Sequence, residues 1–460
     1  MPQGRAAVPI VVPPQMSDTT NTALFRARCL VAEGDDAEAR QAYLEVLRLD
    51  PRHPAALTEL GALAYAGGFV SAARETYRQA ARCNPSYTLA LVGYGDLLSE
   101  VGDLADACKQ YSAALAIEPE MPRAHQGLAR ALRALGTDAG EHWRKGFAGH
   151  AVVARRYRGS GTGIPLLMLV SAVGGNVATG HWIDDRVFAV TALYADFFDP
   201  DDPLPPHALI VNAIGDADLC DTALANAERI VARGTAPVIN PPAVVRATGR
   251  ESIAWRLARI PGVIAPRVRR LSRADLLYPL LLRAAGYHTG QHFVRVETPA
   301  ALAEAAASLP DADPLAIEYL DARGPDGMAR KYRVMFVNGA AYPLHLAISA
   351  DWKVHYFTAA MATHPEFRAE EKHFLYDMAA VLGEPGVAAL SHIQAALGLD
   401  YGGIDFGLAP DGSLLLFEAN ATMVINPPDA DPIWDYRRPA VAAALGAARR
   451  MLAQRATGGP

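Results

Sequence analysis

Ile404-Asp405-Phe406-Gly407-Leu408, then Ala409-Pro410-Asp411-Gly412, then Ser413-Leu414-Leu415-Leu416-Phe417-Glu418-Ala419-Asn420 is the stretch on which the fold of this chain turns. Two apolar runs flank Pro-Asp-Gly, where proline presets φ and glycine admits a positive one, so the segment predicts a β-hairpin. With a four-residue loop, Leu408 faces Ser413 and Asp405 faces Leu416. Strand alternation then sets Leu416, Glu418 and Asn420 on one face, with Asp405 diagonal to Glu418. An acid closing an otherwise apolar strand is costly unless a cation lies beside it. The three polar residues offer oxygen donors, two of them anionic, with no histidine or cysteine nearby. That set suits Mg²⁺ bridging nucleotide phosphates.

Working upstream, Pro279–Arg283 and Phe293–Val296 read as two strands around the glycine-bearing loop Ala284-Ala285-Gly286-Tyr287-His288-Thr289-Gly290-Gln291-His292. Glycines there let backbone N–H groups turn toward phosphate oxygens. Leu315–Asp321 and Lys331–Val337 read as further strands, the second closing on the turn Asn338-Gly339. Lys331 and Arg333 share a face by alternation, which by itself also fits a solvated strand. The stretch from Tyr342 to Tyr356 carries His345, His355 and Lys353, without zinc spacing, and reads as a loop that could bind an acceptor.

Asp405, Glu418 and Asn420, spaced thirteen and then two residues apart, match the metal motif of ATP-grasp ligases. Gly398-Leu399-Asp400-Tyr401-Gly402-Gly403-Ile404-Asp405 is most similar to the glutamate ligases that modify ribosomal proteins, and to glutathione synthetases. The resemblance covers 162–455. It implies a pre-ATP-grasp α/β domain over 161–265 and an α+β ATP-grasp fold over 266–455. It further implies ATP and Mg as cofactors, with Asp405, Glu418 and Asn420 as metal ligands. Arg283, Gly286, His288, Gly290 and Gln291 would cover the phosphates, and Glu318, Tyr319 and Leu320 would meet adenine. Arg333, with Lys331 and Lys353, would face the transferred phosphoryl group and the substrates, a carboxylate and an amine. The implied reaction is carboxylate–amine ligation through an acyl phosphate.

This chain departs from the family at three places. Arg283 stands where a lysine is usual, Arg250 lies near the place of another, and Ala421-Thr422-Met423 follows Asn420 where a Pro-Gly turn is common. Arginine keeps the charge and can fork onto phosphate. The departures keep a second reading open, a repeat-based adaptor whose second half is a degenerate nucleotide-binding module.

Between 161 and 265, Pro165–Ser171, His207–Asn212 and Pro237–Asn240 read as strands and Thr222–Arg233 as a helix, an alternation that predicts a small parallel α/β sheet with its loops at the strand C-termini. Gly174-Gly175 reads as a tight turn, and Gly159–Gly163 as a boundary that precedes a strand and so cannot be a phosphate loop.

The front of the chain repeats. Pro51, Pro85 and Pro119, Gly34, Gly68 and Gly102, Ala39, Ala73 and Ala107, and Tyr43, Tyr77 and Tyr111 are each spaced by 34 residues. Units therefore run 20–53, 54–87 and 88–121, with a partial fourth around Leu128 and Leu132. The pattern resembles the tetratricopeptide repeat, an all-α helical solenoid, over 19–135. Such units bury their apolar faces only by stacking, and the stack offers a groove for a peptide or protein segment. The residues 136–160 read as a helical cap and connector, and 1–18, rich in proline, as a disordered leader.

Composition agrees with a multidomain globular chain. The 460 residues are 51% hydrophobic and 20% charged, with net charge -6, which gives no electrostatic reason for a nucleic acid partner or a polybasic membrane anchor. Cys29, Cys83, Cys108 and Cys220 have no metal spacing, and a reducing, cytoplasmic setting is the expectation.

Overall fold

The computed structural model describes residues 14–273, 275–284, 292–311, 313–354, 356 and 359–458. The chain divides into two compact units, Met1–His150 and Ala151–Pro460.

The first unit is a helical repeat. Helices α1 (Pro14–Glu33), α2 (Asp36–Leu49), α3 (Pro54–Ala66), α4 (Val70–Cys83), α5 (Thr88–Glu100), α6 (Leu104–Ile117), α7 (Pro122–Ala134) and α8 (Gly140–Phe147) pack as successive pairs. The turn inside each pair needs a left-handed residue, and Gly34, Gly68, Gly102 and Gly136 supply it at φ +85, +80, +86 and +72. Pro51, Pro85 and Pro119 fall just past the second helix of a pair, where no further N–H is needed. The repeated tyrosines fill the space between units: the Tyr77 ring lies against Gly61 and Gly93, and the Tyr111 ring against Gly95 and Gly127. Their hydroxyls reach acids, Tyr43 donating to Glu59 at 3.0 Å and Tyr111 to Asp96 at 2.8 Å.

Two boundaries differ from the expectation. Helix α1 begins at Pro14, inside the stretch 1–18 read as a leader, of which 1–13 lie outside the described residues. The cap and connector over 136–160 is helical at α8 alone. Val152–Ala154 is strand β1, because its backbone finds ladder partners in the second unit.

Among the described residues, the second unit holds three sheets. The first has the order β1-β3-β2-β4-β5, from β1, β2 (Ile164–Val170), β3 (Phe188–Tyr194), β4 (Leu209–Asn212) and β5 (Val238–Ile239). Strands β2 to β5 are parallel, as expected, and β1 adds an antiparallel edge. Helix α9 (Asp221–Val231) joins β4 to β5, and α10 (Pro242–Arg246) and α11 (Arg250–Leu257) follow.

Next come β6 (Val263–Ile264), β7 (Val268–Arg270), β8 (Leu280–Arg283), β9 (Phe293–Val296), α12 (Leu302–Ala307) and β10 (Leu315–Glu318). Strands β7, β10, β8 and β9 make a four-stranded antiparallel sheet. The third sheet, β12-β11-β13-β14-β6, is built from β11 (Ala329–Val337), β12 (Ala340–Ser349), β13 (Tyr401–Leu408) and β14 (Leu414–Asn420), with β6 alongside β14. Helices α13 (Pro365–Tyr376) and α14 (Met378–Leu397) lie between β12 and β13 in sequence, and α15 (Arg438–Ala456) follows β14.

Alternation gives the third sheet two kinds of face. Tyr332, Val334, Phe336, Ile404 and Phe406 pack into one core with Phe374, Leu390 and Ile393 of α13 and α14. Met335, Val337 and Tyr401 of the other face join a second core with Val441, Leu445 and Met451 of α15. That second face also carries Arg333 and Asp405, and so positions the polar cluster described next. Among the described residues, no helix is long and apolar enough to cross a membrane.

Candidate functional site

The hairpin forms around the expected turn, but its register differs. Leu408 pairs with Leu414, and Ala409 N–H donates to Ser413 O at 2.9 Å, so five residues lie outside the ladder. A bulge at Phe417 then lets Phe406 pair with Leu416 while Asp405 pairs with Glu418 directly. The expected shared face of Leu416, Glu418 and Asn420 is therefore corrected. Leu416 turns into the core with Phe406, and Glu418 stands opposite Asp405 instead of diagonal to it.

The register extends across the sheet. His345 pairs with Arg333, Arg333 with Asp405, and Asp405 with Glu418, one residue from each of β12, β11, β13 and β14. Directly opposed side chains lie about 4.5–5.5 Å apart at Cβ, so the four form a continuous polar row. Arg333 forks onto Asp405, with Nε to Oδ1 at 2.6 Å and Nη2 to Oδ2 at 2.8 Å. Lys331 adds a contact to Oδ2 at 3.2 Å. Arg333 is thus no solvated strand charge.

Burial pushes the Asp405 carboxyl up, yet Arg333 and Lys331 outweigh it and hold the group well below the usual carboxylate range. Glu418 is pushed up by burial and pulled down by Arg250 and Arg283, with a net fall. For Arg283 burial dominates and lowers its pKa, although Glu418 opposes the change. His345 is buried beside Arg333, and both desolvation and that charge drive its pKa well down, so the ring is neutral. Among the described residues its Nδ1 has no hydrogen-bond partner.

A cavity of about 470 Å³ opens over this row, within the range of small-ligand sites. Of the residues singled out in the sequence, Arg283, Glu318, Tyr319, Leu320, Lys331, Arg333, Lys353, Asp405, Glu418 and Asn420 all line it. Gly286, His288, Gly290 and Gln291 lie outside the described residues, as does His355. The expected loop from Tyr342 is strand β12 as far as Ser349. Its His345 belongs to the polar row, while Lys353 lies at the cavity wall.

Several wall residues were not among the site candidates, Arg250, Trp352, Phe293 and Gly175 among them. Arg250, the first residue of α11, bridges Asp218 at 2.9 Å and Glu418 at 3.2 Å. Trp352 stands 5.6 Å from the Phe293 ring and 6.3 Å, edge-on, from Tyr319, over whose ring Arg295 lies at 4.0 Å. Trp352 and Phe293 adjoin Lys353 and the glycine loop, and an aromatic beside a candidate cation is the signal that could have found them. Gly175, read as a tight turn, also reaches the cavity. Asn420 Oδ1 accepts from Thr422 N–H at 3.0 Å and Thr422 Oγ1 at 2.8 Å.

The arrangement suits an oligoanion. Arg250, Arg283, Lys331, Arg333 and Lys353 converge on a wall that also holds Glu418 and Asp405, with an apolar aromatic side formed by Phe293 and Trp352. Guanidinium forks match phosphate and carboxylate geometry.

No family model matches this sequence, and no curated protein matches it. Among solved structures, the first tetratricopeptide domain of Spaghetti (RPAP3), bound to an HSP90 peptide, is 23% identical, covering 26% of this chain and 96% of its own, with TM-score 0.25. The MamA protein is similar at 20% identity, over 29% of this chain and 75% of that one, with TM-score 0.26. PilF of Pseudomonas aeruginosa is similar at 18% identity, over 30% and 63%, with TM-score 0.28.

Proposed function

We propose that the second unit is an ATP-dependent carboxylate–amine ligase of the ATP-grasp type, and that the first unit holds a polypeptide bearing one of its substrates. The observation that carries the proposal is the convergence in one cavity of Arg250, Arg283, Lys331 and Arg333 with Asp405, Glu418 and Asn420. Residues far apart in sequence, chosen for one chemistry, line one wall.

The donor chemistry fits a hard divalent cation. Asp405 and Glu418 present carboxylates side by side, and Asn420 adds a carboxamide on the same strand face. These three would hold Mg²⁺, whose contribution is to offset charge on the phosphates. Arg283 and Arg250 bind and orient the phosphate chain, and Arg333 stabilises charge as the γ-phosphoryl group moves. In that step a substrate carboxylate oxygen bonds to the γ-phosphorus as the bond to ADP breaks. The amine nitrogen then bonds to the acyl carbon, inorganic phosphate leaves with the acyl C–O bond, and the amine gives up a proton. Phe293 and Trp352 shield one side from water.

The test is ADP release by the full chain from Mg-ATP, screened against amino-acid and peptide acceptors, with titration calorimetry of nucleotide binding. Glu418→Ala is expected to lower Mg-ATP affinity at least tenfold with an unchanged circular dichroism spectrum. Equal affinity in variant and wild type would overturn the assignment.

One observation favours a second reading, an adaptor with a non-catalytic nucleotide module: both carboxylates already carry protein cations, Arg333 and Lys331 on Asp405 and Arg250 on Glu418. Nucleotide binding without turnover across the screen would support it.

A further inference from the structure

The second unit contains another cavity, of about 550 Å³, which shares no lining residue with the first among the described residues. Its floor is the first sheet, where Met168 of β2 and Val190 of β3 reach it. Three of its walls carry arginine. Arg155, Arg156 and Arg158 follow β1, Arg186 closes the loop before β3, and Arg449 projects from α15. Asp184 and Asp185 are the acids among them, leaving an excess of three positive charges in a chain whose net charge is -6.

The acids are already committed. Asp185 takes both forks of Arg158, at 2.8 and 3.0 Å, and Asp184 Oδ1 accepts from the Arg186 backbone N–H at 2.8 Å. Arg449 donates to the His181 carbonyl oxygen at 2.8 Å, which fixes its position without neutralising it. Arg155, Arg156 and Arg186 have no ion-pair partner among the described residues. Two of their backbones are nonetheless held: Arg155 N–H donates to Val190 O at 2.8 Å, and Arg186 N–H to Asp184 Oδ1 at 2.8 Å. Like charges gathered on a fixed scaffold repel one another, and an anion bridging them would remove that cost.

We propose that this cavity binds a small, multiply charged oxyanion carrying two or more phosphate or carboxylate groups. Guanidinium forks pair bidentately with both groups, and four of them around one cavity can hold several oxygens at once. The cavity volume lies within the range of small-ligand sites and favours a small molecule over a strand of nucleic acid. The site is independent of the ligase reading, since it rests on different residues.

The test uses the full chain, with inorganic tripolyphosphate and citrate as the phosphate and carboxylate probes, in titration calorimetry with EDTA at low ionic strength. Three proteins are compared: wild type, Arg283→Ala, and the triple substitution Arg155→Ala, Arg156→Ala, Arg186→Ala, whose side chains are exposed. Binding by at least one probe is expected in wild type. It persists in Arg283→Ala with the loss only of what the first cavity contributes, and in the triple variant a binding event is lost or affinity is weakened at least tenfold. Restoring the three positions as lysine should recover charge but not forked geometry, and so only part of the affinity. Whichever probe binds more tightly identifies the ligand source. The proposal is overturned if the triple variant binds both probes as wild type does, if neither probe binds wild type, or if a single-stranded RNA oligonucleotide binds through these arginines while neither small anion does.

Discussion

Arg333→Met tests the polar row most directly. The substitution keeps an unbranched side chain of similar length but removes the group that grips both oxygens of Asp405, at 2.6 and 2.8 Å. Asp405 is 3% exposed, so water cannot replace what is lost. Breaking a buried pair by deleting one partner costs about 3–5 kcal/mol. Lys331 remains at 3.2 Å, so the lower end, about 3 kcal/mol, is the expected loss. For a unit of this size that corresponds to a fall of about 6 °C in Tm. Four of the five tryptophans, Trp182, Trp255, Trp352 and Trp434, lie in the second unit, so intrinsic fluorescence during thermal and urea unfolding reports on it. Adding Asp405→Asn should return part of the stability, because the buried carboxylate no longer carries a charge, while Lys331 loses its partner. The pH dependence has a defined sign. Asp405 in wild type is held below its unfolded value of 3.8, so its contribution is present above that value and lost as pH falls further. Arg333→Met should lose less on acidification. A variant within about 0.5 kcal/mol of wild type, the range of an inert surface change, would refute the reasoning.

In the first unit, Gly127→Ala would place a methyl group 2.3 Å from the Tyr111 ring; overpacking of this kind costs about 1–3 kcal/mol, and urea unfolding followed by circular dichroism should show an earlier first transition. His142, whose Nδ1 meets His125 Nδ1 at 2.8 Å, has its pKa lowered by burial and then by His125. The unfolded chain therefore takes up its proton first, and α7 should lose hydrogen-exchange protection as pH falls below about 6.5, less so in His142→Asn. Glu371 is pushed up to about 7 by burial, against Arg437 and Tyr436. Its folded state binds the extra proton, so the second unit should lose stability as pH rises from 4.5 toward 7. In Glu371→Gln, a pH series of melts should show that slope flattened.

Much of this architecture is legible in residue order because it is local or periodic. The 34-residue recurrence of glycine, alanine and tyrosine marks the helix pairs, and Pro410-Asp411-Gly412 marks the hairpin. The bulge was not legible. Phe417 is as apolar as its neighbours, so nothing in the composition of β14 says that one residue falls out of step. The partner of Glu418 escaped for another reason: Arg250 is 168 residues away, and its position depends on how α11 docks against β14. Strand β3, Phe188–Tyr194, went unread although it pairs with β2 along seven positions. Its Ala189, Thr191 and Ala192 dilute the apolar pattern that marks the other parallel strands.

The ion pairs along the polar row also set the route by which a ligand could arrive. Arg250 is shared between Asp218 and Glu418, and Arg333 and Lys331 both belong to Asp405. A phosphate reaching these cations must trade places with a carboxylate of the protein itself, so internal pairing and occupancy exclude one another. The cleft is in effect competitively blocked by its own side chains. Removing an acid should then act in opposite directions under two conditions. With a divalent ion present, loss of Glu418 removes a ligand for that ion and weakens nucleotide binding. With the ion chelated, the same loss releases Arg250 from one of its partners and strengthens it.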